Sequence, residues 1–467
     1  MSEKKKIILN NIVIEEVAAE GNSIAHVDGK VLFVPQCVPG DVVDVRLLRK
    51  RQGYMEGQAV NLVKPSPDRL APFCAHYGEC GGCKWQPLPY SMQLKYKEQQ
   101  VIDQLTRIGR LTLPAISPIL GSEQTEYYRN KLEFTFSNKR WILKGEDPRA
   151  LSERDRLSLG FHISGFFDKV LDIEKCHLQA EPSNAIRLFV KNYAIEHNLT
   201  FFDLREQTGL LRNMIVRTTS GGQVMVIMVF AHNDKKACEA LLNALQEQFP
   251  QITSLYYVIN GKRNDSIADL PCRKFSGKES ITEQMERIEF MIGPKSFYQT
   301  NSRQAYRLYC VVRDFARLTG DEIVYDLYTG IGTIGLFLSP SAKKIVGIEY
   351  VKEAIEDARA NAAHNGIDKC RFYAGDMKDM LTAEFIRENG HPDLVVLDPP
   401  RAGIHPDVAK VLLETAPRRM VYVSCNPASQ ARDLAILSEK YRVTAVQPVD
   451  MFPHTHHVEN VVAIERI

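Results

Sequence analysis

The stretch Asp326-Leu-Tyr-Thr-Gly330-Ile-Gly332-Thr-Ile-Gly335 decides the fold of the C-terminal part of this chain. Its glycines predict a tight turn after an apolar strand and a backbone that approaches a ligand closely. Apolar segments on both sides alternate with helical patterns, as expected for a parallel sheet covered by helices. We predict the strands of this sheet at 323–327, 344–349, 371–374, 394–397 and 419–424.

Three acidic residues follow strands of this predicted sheet. Glu349 comes 19 residues after Gly330, where a carboxylate accepts hydrogen bonds from ribose hydroxyls. The glycine loop alone would suit NAD, FAD or S-adenosylmethionine. Asp376 is placed to meet an adenine amino group, and the turn Asp398-Pro-Pro-Arg401 is typical of base-modifying methyltransferases rather than dehydrogenases. Together these residues favour S-adenosylmethionine.

Cys425 follows the predicted strand 419–424 and opens the turn Asn426-Pro427. Ligands bind at the carboxyl ends of strands in such sheets, so this thiol would face the same crevice. A thiolate that adds to C6 of uracil makes C5 nucleophilic, and a base must afterwards remove the C5 proton. Glu459 is our candidate for that base. The alternatives are a buried inert thiol and a surface carboxylate.

Three histidines, His454, His456 and His457, precede Glu459 and resemble a metal cluster. We do not predict a zinc site there, because no fourth ligand stands at a suitable spacing.

The composition is that of a globular protein with two or three domains: 467 residues, 44% hydrophobic and 25% charged. No apolar run is long enough to cross a bilayer, and the N-terminus lacks the apolar core of a secretory signal. We therefore expect a cytoplasmic protein. Because the cytosol keeps thiols reduced, clustered cysteines point to metal binding or catalysis.

Basic residues cluster in the first third of the chain, at Lys4–Lys6, Arg46–Arg51 and 129–144. Each cluster alone fits a solvated surface. Together they are consistent with a surface that faces RNA, because neutralising phosphates requires clustered Lys and Arg.

The chain divides by pattern into three predicted domains, 1–65, 66–285 and 286–467. Short alternating strands over 7–63 predict a small antiparallel barrel, and Pro65-Ser66-Pro67 reads as a linker. A helix with a face rich in Gln, Lys and Glu is predicted at 90–108. Residues 127–285 mix strands with helices, including a helix at 235–248, and predict an α+β domain.

Five motifs carry a resemblance to a known family. They are Ser296-Phe-Tyr-Gln-Thr-Asn301, Asp326–Gly335, Asp398-Pro-Pro-Arg401, Ser424-Cys-Asn-Pro427 and Pro453-His-Thr-His-His-Val-Glu459. The chain resembles the bacterial RNA 5-methyluridine methyltransferases, especially the iron–sulfur members that act on 23S ribosomal RNA. This resemblance implies a multi-domain α/β fold. It would combine a Rossmann-like methyltransferase domain dependent on S-adenosylmethionine, an N-terminal OB-like barrel of the TRAM type and an α+β central domain.

The resemblance also assigns roles to residues. Cys425 would be the nucleophile and Glu459 the proton acceptor. The residues that would contact S-adenosylmethionine are Gln299, Tyr328, Glu349, Asp376 and Asp398. Two positions depart from the family pattern, because Thr333 is asparagine in some relatives and Thr329 replaces a common cysteine. In the barrel, Tyr54 and Phe33 are candidate stacking platforms for RNA.

Cys74-x5-Cys80-Gly-Gly-Cys83 brings three thiols onto one tight loop. By themselves these residues leave an iron–sulfur cluster and a zinc ion equally open. The resemblance implies a [4Fe–4S] cluster with Cys176 as the fourth ligand. We expect such a cluster to organise the RNA-binding surface, since methyl transfer needs no electron.

The expected activity is methylation of uridine C5 in 23S ribosomal RNA, by a monomer with no membrane or DNA partner. Transfer RNA is the alternative substrate, although relatives that act on it generally lack the barrel and the cysteine loop. A 5-methylcytidine enzyme is disfavoured, because the Asp398 turn lacks a second cysteine. A non-enzymatic RNA-binding assembly factor would show a damaged loop or a missing thiol, and neither is seen.

Overall fold

The computed structural model describes residues 7–467, and the basic cluster Lys4–Lys6 lies outside them. The chain forms a six-stranded N-terminal sheet, a seven-stranded central sheet with two helices, and a seven-stranded C-terminal sheet with helices on its faces. This confirms the predicted multi-domain α/β architecture. Every helix within residues 7–467 is too short or too polar to cross a lipid bilayer.

The N-terminal sheet has the strand order β1-β5-β6-β4-β3-β2 and its own apolar core. Its strands are β1 (Ile8–Val13), β2 (Glu16–Val17), β3 (Ser23–Val27), β4 (Lys30–Val34), β5 (Val42–Lys50) and β6 (Tyr54–Lys64). The prediction of an entirely antiparallel barrel is wrong at one pair, because β4 and β6 run parallel. The chain reverses twice between them, at 35–41 and at 51–53, so β6 returns beside β4 in the same direction.

A long helix, α1 (Tyr90–Asp103), follows the cysteine-rich segment and continues as one π-helical turn, Gln104–Ile108. The predicted helix at 90–108 is therefore confirmed, with a wider last turn. Val101 and Leu105 of this segment are fully buried in the same apolar cluster as the C-terminal sheet. Although α1 precedes the strands of the central sheet in sequence, it packs against the C-terminal domain.

The central sheet has the order β13-β12-β11-β10-β7-β8-β9, and all its pairs are antiparallel except β11 with β12. Its strands are β7 (Lys131–Ser137), β8 (Ser158–His162), β9 (Val170–Asp172), β10 (Leu211–Thr218), β11 (Val224–Phe230), β12 (Ile252–Ile259) and β13 (Arg273–Gly277). The helices α2 (Ser183–Glu196) and α3 (Lys235–Gln248) pack on each other beside it. The predicted α+β domain and its helix at 235–248 are thus confirmed.

A hairpin of β14 (Ile281–Met285) and β15 (Ile288–Ile292) leads into the C-terminal domain. The sheet of that domain is built from β16 (Ile323–Leu327), β17 (Lys344–Glu349), β18 (Cys370–Ala374), β19 (Leu394–Leu397), β20 (Arg419–Ser424), β21 (Tyr441–Val449) and β22 (Glu459–Arg466). Its helices are α4 (Ser302–Ala316), α5 (Thr333–Leu338), α6 (Lys352–His364), α7 (Met377–Met380), α8 (Ala383–Asn389), α9 (Pro406–Thr415) and α10 (Pro427–Leu437).

The order of this sheet is β18-β17-β16-β19-β20-β22-β21. The first five are the predicted strands, and they are parallel because each is followed by a helix that returns the chain. They are mostly apolar because helices cover both faces. The strand order reverses between β16 and β19, so a crevice for ligands is expected at the carboxyl ends of these two strands.

We propose that the chain consists of three consecutive domains, 1–65, 66–285 and 286–467. The packing crosses these boundaries, since the hairpin β14–β15 belongs to the same apolar cluster as α4 and β16.

The segment 450–457, called here the catalytic-side loop, precedes β22 and is anchored to α1 by a buried ion pair. Lys97 Nζ donates to Asp450 Oδ1 (2.6 Å) and to the Phe452 carbonyl (3.0 Å), and both charged side chains are fully buried. Tyr90 donates to the second Asp450 oxygen (2.8 Å). A buried charge is tolerated when it is paired and hydrogen-bonded, so this pair fixes the loop to the helix.

Replacing Lys97 with alanine should lower the free energy of unfolding by about 3–5 kcal/mol, because the Asp450 carboxylate would stay buried without a cation. Urea denaturation followed by circular dichroism measures the change. The exposed Lys95 on the same helix provides the control, since Lys95→Ala should change stability by less than about 0.5 kcal/mol. Equal urea midpoints for the two variants would contradict the assigned role of the ion pair.

Candidate active site

The glycine loop that follows β16 forms one wall of the crevice. Tyr328, Gly330 and Gly332 all have positive φ, at 65°, 56° and 83°, which turns the chain sharply before α5 begins. A Cβ added to Gly330 would meet no heavy atom within 4 Å, so the backbone there borders open space. The loop therefore has room for a ligand that lies directly against its main chain.

Glu349, at the end of β17, reaches back to this loop. Its carboxylate accepts hydrogen bonds from the Gly330 N–H (3.3 Å) and the Val351 N–H (3.0 Å). Asp376 begins α7 and accepts a hydrogen bond from the Lys378 N–H (3.2 Å). These bonds hold both carboxylates at the carboxyl edge of the sheet.

The phenol of Tyr328 lies near these acids. Burial raises its pKa to about 12, and the carboxylates of Asp433, Asp376 and Glu349 act in the same direction. Tyr328, Glu349 and Asp376 are therefore brought to one side of the crevice, as the positions of their strand ends predict.

Asn426 connects the Cys425 turn to the Asp398 turn on the neighbouring strand. Its side-chain amide donates to the Arg401 carbonyl (3.0 Å), while its carbonyl oxygen caps α10 at the Ala428 N–H (3.1 Å). The Asn426 side chain thus caps α10 directly after β20 and holds the two turns together.

The antiparallel register of β20 and β22 places Cys425 beside Glu459. Ser424 is the last paired residue of β20, and it lies opposite Asn460. The next positions along the two strands are Cys425 and Glu459, so the ladder points their side chains to the same face at close range. Asn460 is held by a hydrogen bond to Gln430 of α10 (2.7 Å), which keeps this pair of strand ends in register.

Three acidic or thiol groups share this pocket, and each favours its protonated form. Burial raises the pKa of Glu459 to about 8, and the charge of Asp398 acts in the same direction. Burial and the charge of Asp326 raise the pKa of Asp398 to about 7. For Cys425, burial followed by the charges of Glu459 and Asp398 raises the pKa to about 11. Carboxyl groups with pKa values near neutrality are suited to proton transfer.

Arg401 is the cation of this pocket, and our sequence analysis gave it no role. Its positive charge opposes the rise in the pKa of both Cys425 and Glu459. Its place in the Asp398-Pro-Pro-Arg401 turn was a signal that could have identified it. Asp326 is a second residue without a predicted role: it is buried within β16, where it accepts a hydrogen bond from the Gly335 N–H (2.9 Å).

The segment 296–301 forms the opposite rim of the crevice. Asn301 donates to the Met451 carbonyl (3.0 Å), and Asn130 of the central domain donates to the Gln299 carbonyl (2.9 Å). These bonds place Gln299 between the central domain and the catalytic-side loop. Phe297 is 66% exposed next to it, which makes it a candidate contact for a substrate that sequence reasoning missed.

The two positions that depart from the family pattern are both occupied by hydrogen bonds within the protein. Thr333 accepts a hydrogen bond from Tyr309 (3.1 Å), and the Thr329 hydroxyl donates to Asp326. Both side chains therefore stabilise the glycine loop through hydrogen bonds within the protein.

The cysteine loop, Cys74–Cys83, lies against the catalytic-side loop. The N–H groups of Lys84 and Trp85 both donate to the His454 carbonyl, at 2.8 and 3.0 Å. Gln93 of α1 accepts from the His454 N–H (2.8 Å). The residues that follow the cysteine loop thus form part of the support of the active site.

Burial keeps the three histidines of the catalytic-side loop neutral. It lowers the pKa of His454 to about 4, that of His456 to about 3 and that of His457 to about 4. Their nearest ring contacts are aromatic: His454 lies edge-on to Phe73, with 5.0 Å between ring centroids. They act here as packing side chains of the loop.

The four cysteines of the predicted metal site line one cavity of about 230 Å³. They are Cys74, Cys80, Cys83 and Cys176. Burial raises the pKa of Cys80 to about 11 and that of Cys83 to about 12, and it also raises the pKa of Cys176. Binding a metal here would release protons from these thiols.

Across residues 7–467, no group of three or more His, Cys, Asp or Glu side chains is gathered closely enough to hold a metal ion. The four thiols instead line the cavity described above. Four thiolates are the donor set of an iron–sulfur cluster and also of a tetrahedral zinc ion.

Comparison with known proteins gives consistent matches. Residues 211–467 match the tRNA (uracil-5-)-methyltransferase family, and residues 11–60 match the TRAM domain. An uncharacterized RNA methyltransferase of Bacteroides thetaiotaomicron is 58% identical over 96% of this chain and 100% of its own length. A protein of the same description from Chlorobaculum tepidum is 39% identical over 92% of this chain and 90% of its own.

A solved structure also matches along almost the whole chain. It is the tRNA (uracil-54, C5)-methyltransferase of Pyrococcus abyssi in complex with S-adenosyl-L-homocysteine, with a TM-score of 0.74 and 28% identity. The match covers 98% of this chain and 100% of that one.

The raised pKa of Glu459 predicts a pH dependence of stability. Its ordinary value is 4.5, so the folded protein keeps a proton up to about pH 8 that the unfolded chain has already released. The free energy of unfolding should therefore fall as the pH rises from about 5 to about 9, and Asp398 contributes with the same sign. Glu459→Gln removes the carboxyl that titrates, so the free energy of unfolding of this variant should fall less over this pH range.

Urea denaturation at several pH values, without added ligands, measures both curves. Glu414→Gln replaces an exposed carboxylate on α9 and should follow the wild-type curve. If Glu459→Gln also follows it, the buried carboxyl does not titrate as described.

Proposed function

Because the chain belongs to the tRNA (uracil-5-)-methyltransferase family, whose family match covers residues 211–467, we propose that it methylates C5 of a uridine in 23S ribosomal RNA with S-adenosylmethionine as donor. The observation that carries this proposal is the pairing of Cys425 with Glu459 beside the glycine-loop crevice. A nucleophile and a base on adjacent strand ends are what methylation of a weakly nucleophilic carbon requires.

In the proposed reaction Cys425 acts first. The Cys425 thiol is partly exposed, so water can accept its proton. The resulting thiolate sulfur then adds to C6 of the uracil. The electron pair of the C5=C6 bond then makes C5 the attacking atom. The target base must be flipped out of its stack to reach the thiol. Arg401 favours this step, since its positive charge stabilises the thiolate.

Glu459 acts second. C5 receives the methyl group as the bond from that group to the donor sulfur breaks, and the electron pair of this bond stays on the sulfur of the released S-adenosylhomocysteine. C5 then still carries a proton, which the Glu459 carboxylate removes. The electron pair of that C–H bond restores the C5=C6 double bond, and the C6–S bond breaks to release Cys425. The raised pKa makes the ionised Glu459 a stronger base for the C5 proton, and the positive charge of Arg401 favours this ionised form.

The donor would be held by five residues around the glycine loop: Gln299, Tyr328, Glu349, Asp376 and Asp398. The open space at Gly330 and the two carboxylates at the ends of β17 and β18 support this placement. When bound, S-adenosylmethionine supplies the electrophilic methyl group and a sulfonium cation, which favours the ionised forms of the thiol and carboxyls nearby.

Transfer RNA is the second candidate substrate, and one comparison favours it. The solved tRNA enzyme aligns along 98% of this chain, including the region of the barrel. The presence of the barrel therefore does not separate ribosomal from transfer RNA in this family. The cysteine loop and the resemblance to iron–sulfur members support ribosomal RNA. A purely RNA-binding role is less consistent with a pocket that contains a nucleophile and a base.

We also propose that Cys74, Cys80, Cys83 and Cys176 hold a [4Fe–4S] cluster with a structural role in a cytoplasmic enzyme. The cavity that all four thiols line supports this proposal. The hydrogen bonds from Lys84 and Trp85 to His454 would connect the cluster region to the active site. The barrel is connected as well, because Trp85 Nε1 donates to the Gly21 carbonyl (3.1 Å).

RNA that contains 5-fluorouridine should trap the wild-type enzyme as a covalent adduct, since fluorine cannot leave as a proton. In the presence of S-adenosylmethionine the adduct should survive denaturation, and gel mobility with mass spectrometry detects it. Transcribed 23S ribosomal RNA should be trapped, whereas total transfer RNA should not. Trapping of transfer RNA alone would establish the second candidate substrate.

Cys425→Ala should bind RNA and S-adenosylmethionine with about wild-type affinity yet form no adduct and no 5-methyluridine. Cys310→Ala is the matched control, because this partly exposed cysteine lies on α4 away from the pocket and its loss should leave trapping unchanged. Persistence of the adduct in Cys425→Ala would refute the covalent mechanism.

Replacing Cys80 with serine should remove iron and sulfide from the purified protein and lower its stability, because a ligand of the cluster is lost. Metal analysis, visible absorption and thermal denaturation measure these changes. Cys272→Ser should retain the wild-type values, since Cys272 does not line the cavity. Zinc in place of iron, or equal stability of the metal-free Cys80→Ser protein, would contradict the proposal.

A further inference from the structure

The turn between β8 and β9 exposes two adjacent phenyl rings. Phe166 is 49% exposed and Phe167 is 64% exposed. The turn is closed by hydrogen bonds from the Phe166 N–H to the Ile163 carbonyl (3.0 Å) and from the Ile163 N–H to the Lys169 carbonyl (3.1 Å). Large aromatic side chains seldom lie together on a surface without a partner, so this pair marks a contact site.

The turn is supported from the side of the cysteine loop. The ring of Trp141 lies 5.2 Å from that of Phe166, and Trp141 Nε1 donates to Glu79 of the cysteine loop (2.7 Å). Beneath the turn, Ile163 belongs to a small apolar cluster against which Cys80 packs. The two phenyl rings are therefore held on a rigid base next to the proposed cluster.

Two cations lie at this turn on the outer surface, and the carboxylates that pair with them are buried. The Arg205 guanidinium lies 5.1 Å from the centre of the Phe167 ring and pairs with Asp168. Lys139 pairs with Asp203 at 2.9 Å. Arg205 and Lys139 are 55% and 26% exposed, whereas Asp168 and Asp203 are 3% and 9% exposed. A partner that approaches the turn meets aromatic rings and positive charge.

We propose that Phe166 and Phe167 form a stacking platform for unpaired nucleobases of the RNA substrate, with Arg205 and Lys139 facing its phosphates. This inference rests on the proposed function. Unpaired bases stack on exposed aromatic rings, and neighbouring Arg and Lys neutralise the backbone, whereas a duplex hides its base faces. A protein partner would also cover apolar rings, but the outward cations with buried acids match a polyanion better.

The double variant Phe166→Ala/Phe167→Ala should bind single-stranded RNA at least about tenfold more weakly than the wild type. Fluorescence anisotropy with a labelled single-stranded oligouridylate measures the affinity. The dependence of affinity on salt concentration should not change, because no phosphate contact is removed. Affinity for a blunt RNA duplex should stay the same in both proteins.

Three further variants separate stacking from folding and from general apolar contact. Phe166→Leu/Phe167→Leu keeps most of the apolar surface but removes the planar rings, so it should also bind more weakly, whereas Phe167→Tyr should bind like the wild type. Leu188→Ala removes an exposed apolar side chain from α2 of the same domain and should leave affinity unchanged. Thermal denaturation should give equal midpoints for all these proteins.

The outcomes also separate this inference from the proposed function. If the wild type binds RNA and both double variants bind equally well, the platform is refuted and the proposed function stands. If the double variants lose only self-association, seen by light scattering, the rings contact a second copy and the inference is wrong. If the wild type binds no RNA, the proposed function and the platform fail together.

Discussion

Backbone pairing between β20 and β22 is the interaction on which the candidate active site depends. Six residue pairs join these strands, from Arg419 with Glu465 to Ser424 with Asn460. The pairing carries Cys425 and Glu459 to adjacent positions although they are 34 residues apart in the chain. A slip of one residue would turn one of the two side chains to the opposite face. The buried bonds of Gln430 to Asn460 and to the Tyr422 carbonyl resist such a slip.

The second constraint is the attachment of the catalytic-side loop to the rest of the molecule. Its backbone and side chains are bonded to α1 through Lys97 and Gln93, and to the end of the cysteine loop through Lys84 and Trp85. The loop leads directly into Glu459. Three parts of the chain that are distant in sequence therefore determine the position of Glu459.

The electrostatics of the pocket follow from this enclosure. Burial raises the pKa of Asp326, Asp398 and Glu459, the charge of Asp326 further raises that of Asp398, and the charge of Asp398 further raises that of Glu459. The positive charge of Arg401 opposes the rise in the pKa of Cys425 and of Glu459. The pocket thus favours a protonated Glu459 and a neutral Cys425 thiol, and a cationic ligand would shift both toward ionisation. This arrangement couples the reactivity of the thiol to occupation of the crevice.

Sequence reasoning predicted the parallel strands of the C-terminal sheet, the helix at 235–248 and the convergence of strand ends on one crevice, because these depend on local periodicity and on the strict geometry of strand–helix–strand units. It also singled out Cys425, Glu459 and the three cysteines of the loop by residue type and spacing, whereas Cys176 was identified only through the family resemblance. The parallel pair in the barrel was missed, since the direction of pairing depends on how often the chain reverses. Gln93 and Lys97 looked like a polar helix face, yet they are buried anchors. Only the tertiary structure decided these points and the register of β20 with β22, because partners far apart in sequence leave no periodic pattern in either segment.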